Sequence, residues 1–206
     1  MKKVIFTAAI LVVTSWINLN AQTTVGLGIK ANTNLTNVKL SDLEGSKSDF
    51  HPGASIGFFS KIGFGEHFAL QPELIFNYTE SKVKYNAEKI KFKYAGVEVP
   101  VYAIGQMNAG TGKFFIGAGP HIGYGFSADS GLEKHTEDIS FKDAIELDHW
   151  YAGISTMVGY EFDFGLSLHA GYQMSWDLGS RRKSSDIRTQ TISLGVAYKF
   201  QLGKKR

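Results

Sequence analysis

Six titratable residues sit inside apolar stretches, where each needs a physical reason: Lys30, Lys61, Glu73, Glu98, His121 and His169. Paired carboxylates such as Glu73 and Glu98 can line a cation path or serve acid–base chemistry. A buried, unpaired charge is costly, so the same residues also suit a structural network in which Lys30, Lys61, His121 or Gln71 satisfies them. The structural role is the expectation. His121 and His169 raise hydrolysis, because an imidazole beside a hydroxyl can activate a nucleophile. The positions two residues further on are Gly123 and Gly171, so a His-x-Ser arrangement is missing. Ser155 or Ser167 can still approach in space. A metal site would need ligands that the neighbouring sequence does not offer. No catalytic residue, metal or cofactor is expected, and the chain is not expected to be an enzyme.

Two glycine patterns imitate cofactor motifs. Gly26-Leu-Gly-Ile-Lys-Ala31 and Gly123-Tyr-Gly-Phe-Ser-Ala128 match a dinucleotide fingerprint, but apolar alternation runs through both and no helix begins there. Gly110-Thr-Gly-Lys113 lacks the first glycine and the Ser/Thr of a phosphate loop, and reads as a turn. Charge collects elsewhere. Arg181, Arg182 and Lys183 form one basic cluster, and Lys82, Lys84, Lys89, Lys91 and Lys93 form another. The stretch from Ser127 to His149 is acidic. These segments suggest surfaces for a protein partner or for lipopolysaccharide phosphate, with solvated loops as the plainer alternative.

The elements that must position these residues show a period of 2. Phe68, Leu70, Pro72, Leu74, Phe76 and Tyr78 alternate with Ala69, Gln71, Glu73, Ile75 and Asn77. Such alternation puts one set on each face of a strand. The same pattern holds from Val25 to Ala31, Val97 to Ala103, Phe114 to Phe126, Trp150 to Tyr160, Leu166 to Trp176 and Ile192 to Phe200. It is less clean from Ala54 to Ile62, where Phe58 and Phe59 are adjacent. No charged residue stands in the apolar sets, whereas Lys30, Lys61, Glu73, Glu98 and Lys199 all fall on the opposite, Gly/Ser-rich face. Small and polar inside with an apolar outer band is the pattern of a transmembrane barrel. A soluble sandwich would not gather so much glycine on its wet face.

Link lengths point the same way. Short links are expected at about 64–67, 105–112 and 163–165, and long polar ones at about 33–51, 79–93, 127–149 and 177–188. That asymmetry separates periplasmic turns from extracellular loops. Aromatic residues gather near both ends of the segments, with Tyr78, Tyr124, Phe126, Trp150 and Trp176 at one end. Phe68, Phe114, Tyr160, Tyr198 and Phe200 stand at the other.

Residues 1–21 are set apart as a signal peptide. Lys2 and Lys3 precede an apolar run from Val4 to Val13, and Leu19-Asn20-Ala21 permits a cut after Ala21. Residues 22–206 then make one domain. The formal charge of +3 includes both leader lysines, so the remainder is nearly neutral and nucleic acid is not implied. The absence of cysteine excludes disulfides, thiolate metal sites and an acylated anchor cysteine.

Four segments carry a family likeness: Gly26-Leu-Gly-Ile-Lys-Ala-Asn32, Leu70-Gln-Pro-Glu-Leu-Ile-Phe-Asn-Tyr78, Val97-Glu-Val-Pro-Val-Tyr102 and Phe115-Ile-Gly-Ala-Gly-Pro120. With them the chain resembles the outer-membrane β-barrel (porin-like) family common in Bacteroidetes, similar to small OmpA/OmpX-type barrels. Ser193 to Phe200 looks like the terminal signal read by the barrel-assembly machinery, which the resemblance implies as a partner during biogenesis. Two departures stand out: Gln201 to Arg206 follow the final aromatic, and Gly171 stands where many relatives carry a lumen-facing arginine.

The fold expected is all-β, an eight-stranded antiparallel up-and-down transmembrane β-barrel, in the outer membrane of a Gram-negative bacterium. Its partners would be outer-membrane lipid and lipopolysaccharide, with a surface or periplasmic protein as a further possibility and no nucleic acid. Eight strands leave an interior just filled by side chains. A structural or surface-binding role acting through the extracellular loops is therefore ranked first. A narrow porin for small solutes, left open by the lumen glycines, comes second, and a part in protein export or surface assembly third.

Overall fold

The computed structural model describes residues 23–40, 51–85, 88–132, 150–178 and 187–200. The proposed leader and the Arg181-Arg182-Lys183 cluster lie outside them. The described residues form eight antiparallel strands: β1 Thr23–Leu40, β2 His51–Phe64, β3 Phe68–Tyr85, β4 Glu88–Asn108, β5 Gly112–Leu132, β6 Trp150–Phe162, β7 Leu166–Asp177 and β8 Ile187–Phe200. Each pairs with its sequence neighbours, and β1 pairs with β8 to close the barrel. Closure gives every wall strand a partner on both sides, the condition for a sheet to survive in hydrocarbon.

The alternation read from the sequence is the alternation of the wall. Phe58 is 60% exposed on the outer face, whereas its neighbour Phe59 is 6% exposed inside the lumen. Ile116, Ile154, Val158, Leu168 and Leu194 are likewise exposed outward. So continuous an apolar surface is compatible with lipid and not with water. Aromatic pairs mark the two rims, Tyr124 with Trp150 at 5.1 Å at one end and Phe114 with Tyr160 at 4.9 Å at the other.

Three short turns join β2–β3, β4–β5 and β6–β7, and each contains one glycine in the left-handed region: Gly65 (φ 72), Gly110 (φ 60) and Gly165 (φ 98). An L side chain is strained there, which is why glycine marks each turn. The expected long links are shorter than the polar sequence suggests. β3 and β4 stay paired out to Tyr85 and Glu88, so the stretch 79–93 is almost wholly hairpin rather than loop. β1 runs to Leu40 and β5 to Leu132. The period of 2 continues there, lysines at positions 82, 84, 89, 91 and 93 alternating with Val83, Tyr85, Ile90, Phe92 and Tyr94, but the set in line with the lipid-facing residues is charged and so lacks the apolar mark of a strand in hydrocarbon.

Prolines break the wall's regularity. The pairing register lapses between Phe59–Glu73 and Ile62–Leu70, between Pro72–Val101 and Ile75–Glu98, and between Pro100–His121 and Ala103–Ala118. The lapses hold Pro72, Pro100 and Pro120 in turn, each a residue without an N–H to donate to the ladder.

Candidate functional site

The lumen is where the singled-out residues meet. Lys30, Lys61, Glu73, Glu98, His121 and His169 are all buried there. β1 and β3 bring Lys30 and Glu73 together across β2. The Lys30 Nζ donates to both Glu73 carboxylate oxygens, at 2.8 and 3.1 Å, and Gln71 Nε2 donates to Oε1 at 2.7 Å. The Lys30 ammonium also stands 5.9 Å from the centre of the Tyr102 ring. The two side chains are 6% and 1% exposed, so the pair is effectively dry.

Glu98 lines the same cavity as Glu73, but the two carboxylates have different partners. It accepts from neutral donors, the Gln173 amide and, at 3.3 Å, the Tyr151 hydroxyl. Glu73 meanwhile has the charged partner. Towards the turn end, Glu161 is held between Lys61, at 2.7 Å, and Lys199. The Lys61 ammonium also lies 5.6 Å from the Phe115 ring. Glu161 was missed by the sequence reading, although it extends the inner set Met157, Gly159 by one step beyond Tyr160.

Both histidines are tied to neutral groups. Ser155 Oγ lies 2.7 Å from His121 Nδ1, and Ser175 Oγ lies 2.9 Å from Nε2. His169 Nε2 is 2.8 Å from Asn32 Oδ1, and Asn32 Nδ2 donates to Ser55 at 2.9 Å. The Ser155–His121 contact has the spacing of an activated nucleophile. However, Ser155 is completely buried, and the far side of the imidazole meets a hydroxyl rather than a carboxylate.

Four glycines of the inner face make room for neighbouring rings. A methyl group on Gly28 would fall 2.2 Å from the Phe59 ring, and one on Gly123 would fall 2.1 Å from that of Tyr151. Gly153 and Gly159 receive His121 and Phe115 in the same way. An apolar cluster of Ala69, Tyr102, Ile104, Phe115 and Met157 fills part of the interior. Among the described residues the lumen includes two small cavities, of about 30 and 20 Å³, each with room for only one or two waters. Lys30 lines both, and so stands between them.

A closed barrel with a lipid-compatible exterior and a polar, packed interior defines the architecture. The model of the outer membrane protein beta-barrel domain matches residues 20–176. The chain belongs to this family. This outer-membrane barrel is similar in fold to Ail, the attachment invasion locus protein of Yersinia pestis, with 15% identity over 85% of this chain and 98% of that one (TM-score 0.47). It is similar to Neisserial surface protein A, with 14% identity over 86% and 99% of the two chains (TM-score 0.48). The outer membrane enzyme PagL matches at 10% identity over 81% and 98% (TM-score 0.47). No match is found among curated proteins. The barrel is therefore an outer-membrane protein of the Gram-negative type, and lipid is its environment.

Proposed function

We propose that the protein is a plugged membrane barrel whose work is done at its extracellular surface, with the lumen serving stability rather than transport or catalysis. The observation that carries this reading is the dry Lys30–Glu73–Gln71 network standing between two cavities of one or two waters each. A diffusing solute would have to break that ion pair and displace Tyr102. The Ser155–His121 contact belongs to the same packing, because its hydroxyl is fully buried. In this reading residues 1–21 direct export and are removed after Ala21. The barrel-assembly machinery inserts the remainder, and no cofactor is needed. The surface that binds is formed by the extracellular hairpins and loops, including the segment of Arg181, Arg182 and Lys183.

A narrow pore for small solutes is the competing reading, favoured by one feature: a single side chain, Lys30, lines both cavities, so its displacement would join them. Planar-bilayer recording of the purified, reconstituted protein separates the two. The plugged barrel gives no steady discrete openings, whereas regular unitary currents in the unmodified protein would establish the pore. Heat-dependent gel mobility of the same preparation shows that the barrel tested is folded.

A further inference from the structure

The larger lumen cavity, of about 30 Å³, has the Lys30–Glu73 pair in its wall. Asn34 stands four residues beyond Lys30 on β1, and Asn77 four beyond Glu73 on β3. Both line the cavity, and both lie toward the end of the barrel opposite the three short turns. Glu98 is paired with Ile75, and so stands between Glu73 and Asn77 in register. The ion pair therefore forms the floor of the cavity, with Glu98 and the two asparagines above it.

Charge does not balance in this space. Among the described residues that line it, Glu73 and Glu98 are carboxylates and Lys30 is the one cation. The Lys30 ammonium donates to both oxygens of Glu73 and is committed there. Glu98 is 5% exposed, and among the described residues its donors are neutral: the Gln173 amide on Oε1 and the Tyr151 hydroxyl on Oε2. Two donors on two oxygens suit an ionised carboxylate. A buried charge without a counter-charge is among the costliest arrangements an interior can hold.

A second observation points into the same cavity. Asn34 is 6% exposed, yet its side chain makes no hydrogen bond among the described residues. A buried amide left in that state calls for a partner within the cavity it faces. Glu98, Asn34 and Asn77 together offer carboxylate and amide oxygens, hard donors that suit alkali and alkaline-earth ions better than transition metals. The volume admits one ion with a water or two, which disfavours magnesium, an ion that keeps several waters. An excess of one negative charge matches a single positive one.

We infer that this cavity binds one monovalent alkali cation, held by the Glu98 carboxylate and the side-chain oxygens of Asn34 and Asn77. Such an ion completes the charge balance of the plug, a role separate from surface binding by the hairpins. The test is urea unfolding of the full-length protein in phosphatidylcholine vesicles, with sodium chloride exchanged for choline chloride at fixed total salt. Choline is too large for the cavity, so ionic strength stays constant while the probe, sodium, varies. A ligand bound only by the folded state stabilises it by mass action, so above saturation the folded-to-unfolded ratio should rise about tenfold per tenfold increase in sodium. E98Q should show no such dependence, and N34A should need about tenfold more sodium for the same effect. Should E98Q lose its heat-dependent gel mobility, N34A/N77A replaces it, with the sodium dependence again lost. A ratio that ignores sodium in the unmodified protein, or an equal response in E98Q or its replacement, would overturn the site. Stabilisation by calcium at lower concentration than by sodium would overturn the assignment to a single charge. No arm measures conductance or surface binding, so failure here is distinct from failure of the plugged-barrel reading.

Discussion

The state of the lumen can be read from the energy of one ion pair. Glu73→Gln leaves the shape of the side chain and removes its charge. Lys30, 6% exposed and in contact with both Glu73 oxygens, would then lose the carboxylate that holds it and keep only Glu98, elsewhere in the wall of the same cavity, as a counter-charge. In a dry interior, breaking a buried pair by removing one partner costs about 3–5 kcal/mol. In a water-filled channel the same pair is worth about 0–1 kcal/mol, as exposed pairs are. The two descriptions of the interior therefore differ by several-fold in one measurable quantity. The second arm of the test is K30M/E73M, which replaces both charges with apolar groups of similar length. Removing a buried pair whole is often neutral or stabilising, so the double variant should lie within about 1 kcal/mol of the unmodified protein or above it.

The assay is reversible urea unfolding in lipid vesicles, followed by the fluorescence of Trp150 and Trp176, both exposed on the outer face near one rim. A double-mutant cycle with K30M and E73M isolates the coupling from the separate losses. A large coupling together with a recovered double variant means a dry plug held by its own pairing. A cost below about 1 kcal/mol for Glu73→Gln would refute the reasoning, because it would mean that water reaches Lys30 and replaces the carboxylate.

Three further outcomes follow from the wall. Ile154, midway between Trp150 and Tyr160 on β6 and 56% exposed, should cost about 2–4 kcal/mol when changed to arginine, whereas Leu178→Arg at the rim should cost about 0–1, by the same unfolding assay. Gly119→Ala should prevent folding or lower stability by several kcal/mol, because its methyl group would meet the Val101 carbonyl oxygen at 1.8 Å. Gly105→Ala, whose nearest contact is a methyl at 3.9 Å, should be tolerated; equal effects on heat-dependent gel mobility would show that the close packing at Gly119 is not a constraint. Glu161→Gln should destabilise the barrel by about 3–5 kcal/mol, since it holds Lys61 and Lys199 together.

The architecture was legible because membrane and lumen impose opposite chemistry on alternate residues. Every strand then repeats the same contrast, and eight repetitions leave little ambiguity. Where the strands leave the bilayer the lipid-side set turns from apolar to lysine, so Lys82 to Lys93 read as a polar loop although they alternate with Val83, Ile90 and Phe92 and form a paired hairpin. The inner face was legible as a set but not as a set of partners. Alternation places Glu73 and Glu98 on the inner face, yet shear between strands decides which cation each meets. Lys30 reaches Glu73 from two strands away, and Glu98 finds Gln173 on β7 across the lumen. Pairings of that kind depend on the barrel's closure, which no local pattern encodes. What stands opposite each lumen glycine was not legible either: at Gly28 and Gly123 the neighbouring strand supplies a ring, whereas at Gly171 it supplies the Ser193 side chain.

That last point bears on how a small barrel acquires a function. In the plugged-barrel reading, Phe59, Tyr102, Phe115 and Met157 packed inside, with Lys30 and Lys61 held by Glu73 and Glu161, leave the interior little capacity to recognise a changing guest. The hairpins face no such constraint, because their sequence is fixed neither by lipid nor by lumen packing. β3 and β4 stay paired beyond Tyr78 out to Tyr85 and Glu88, so the sequence of this ribbon can vary while the wall below it holds its place.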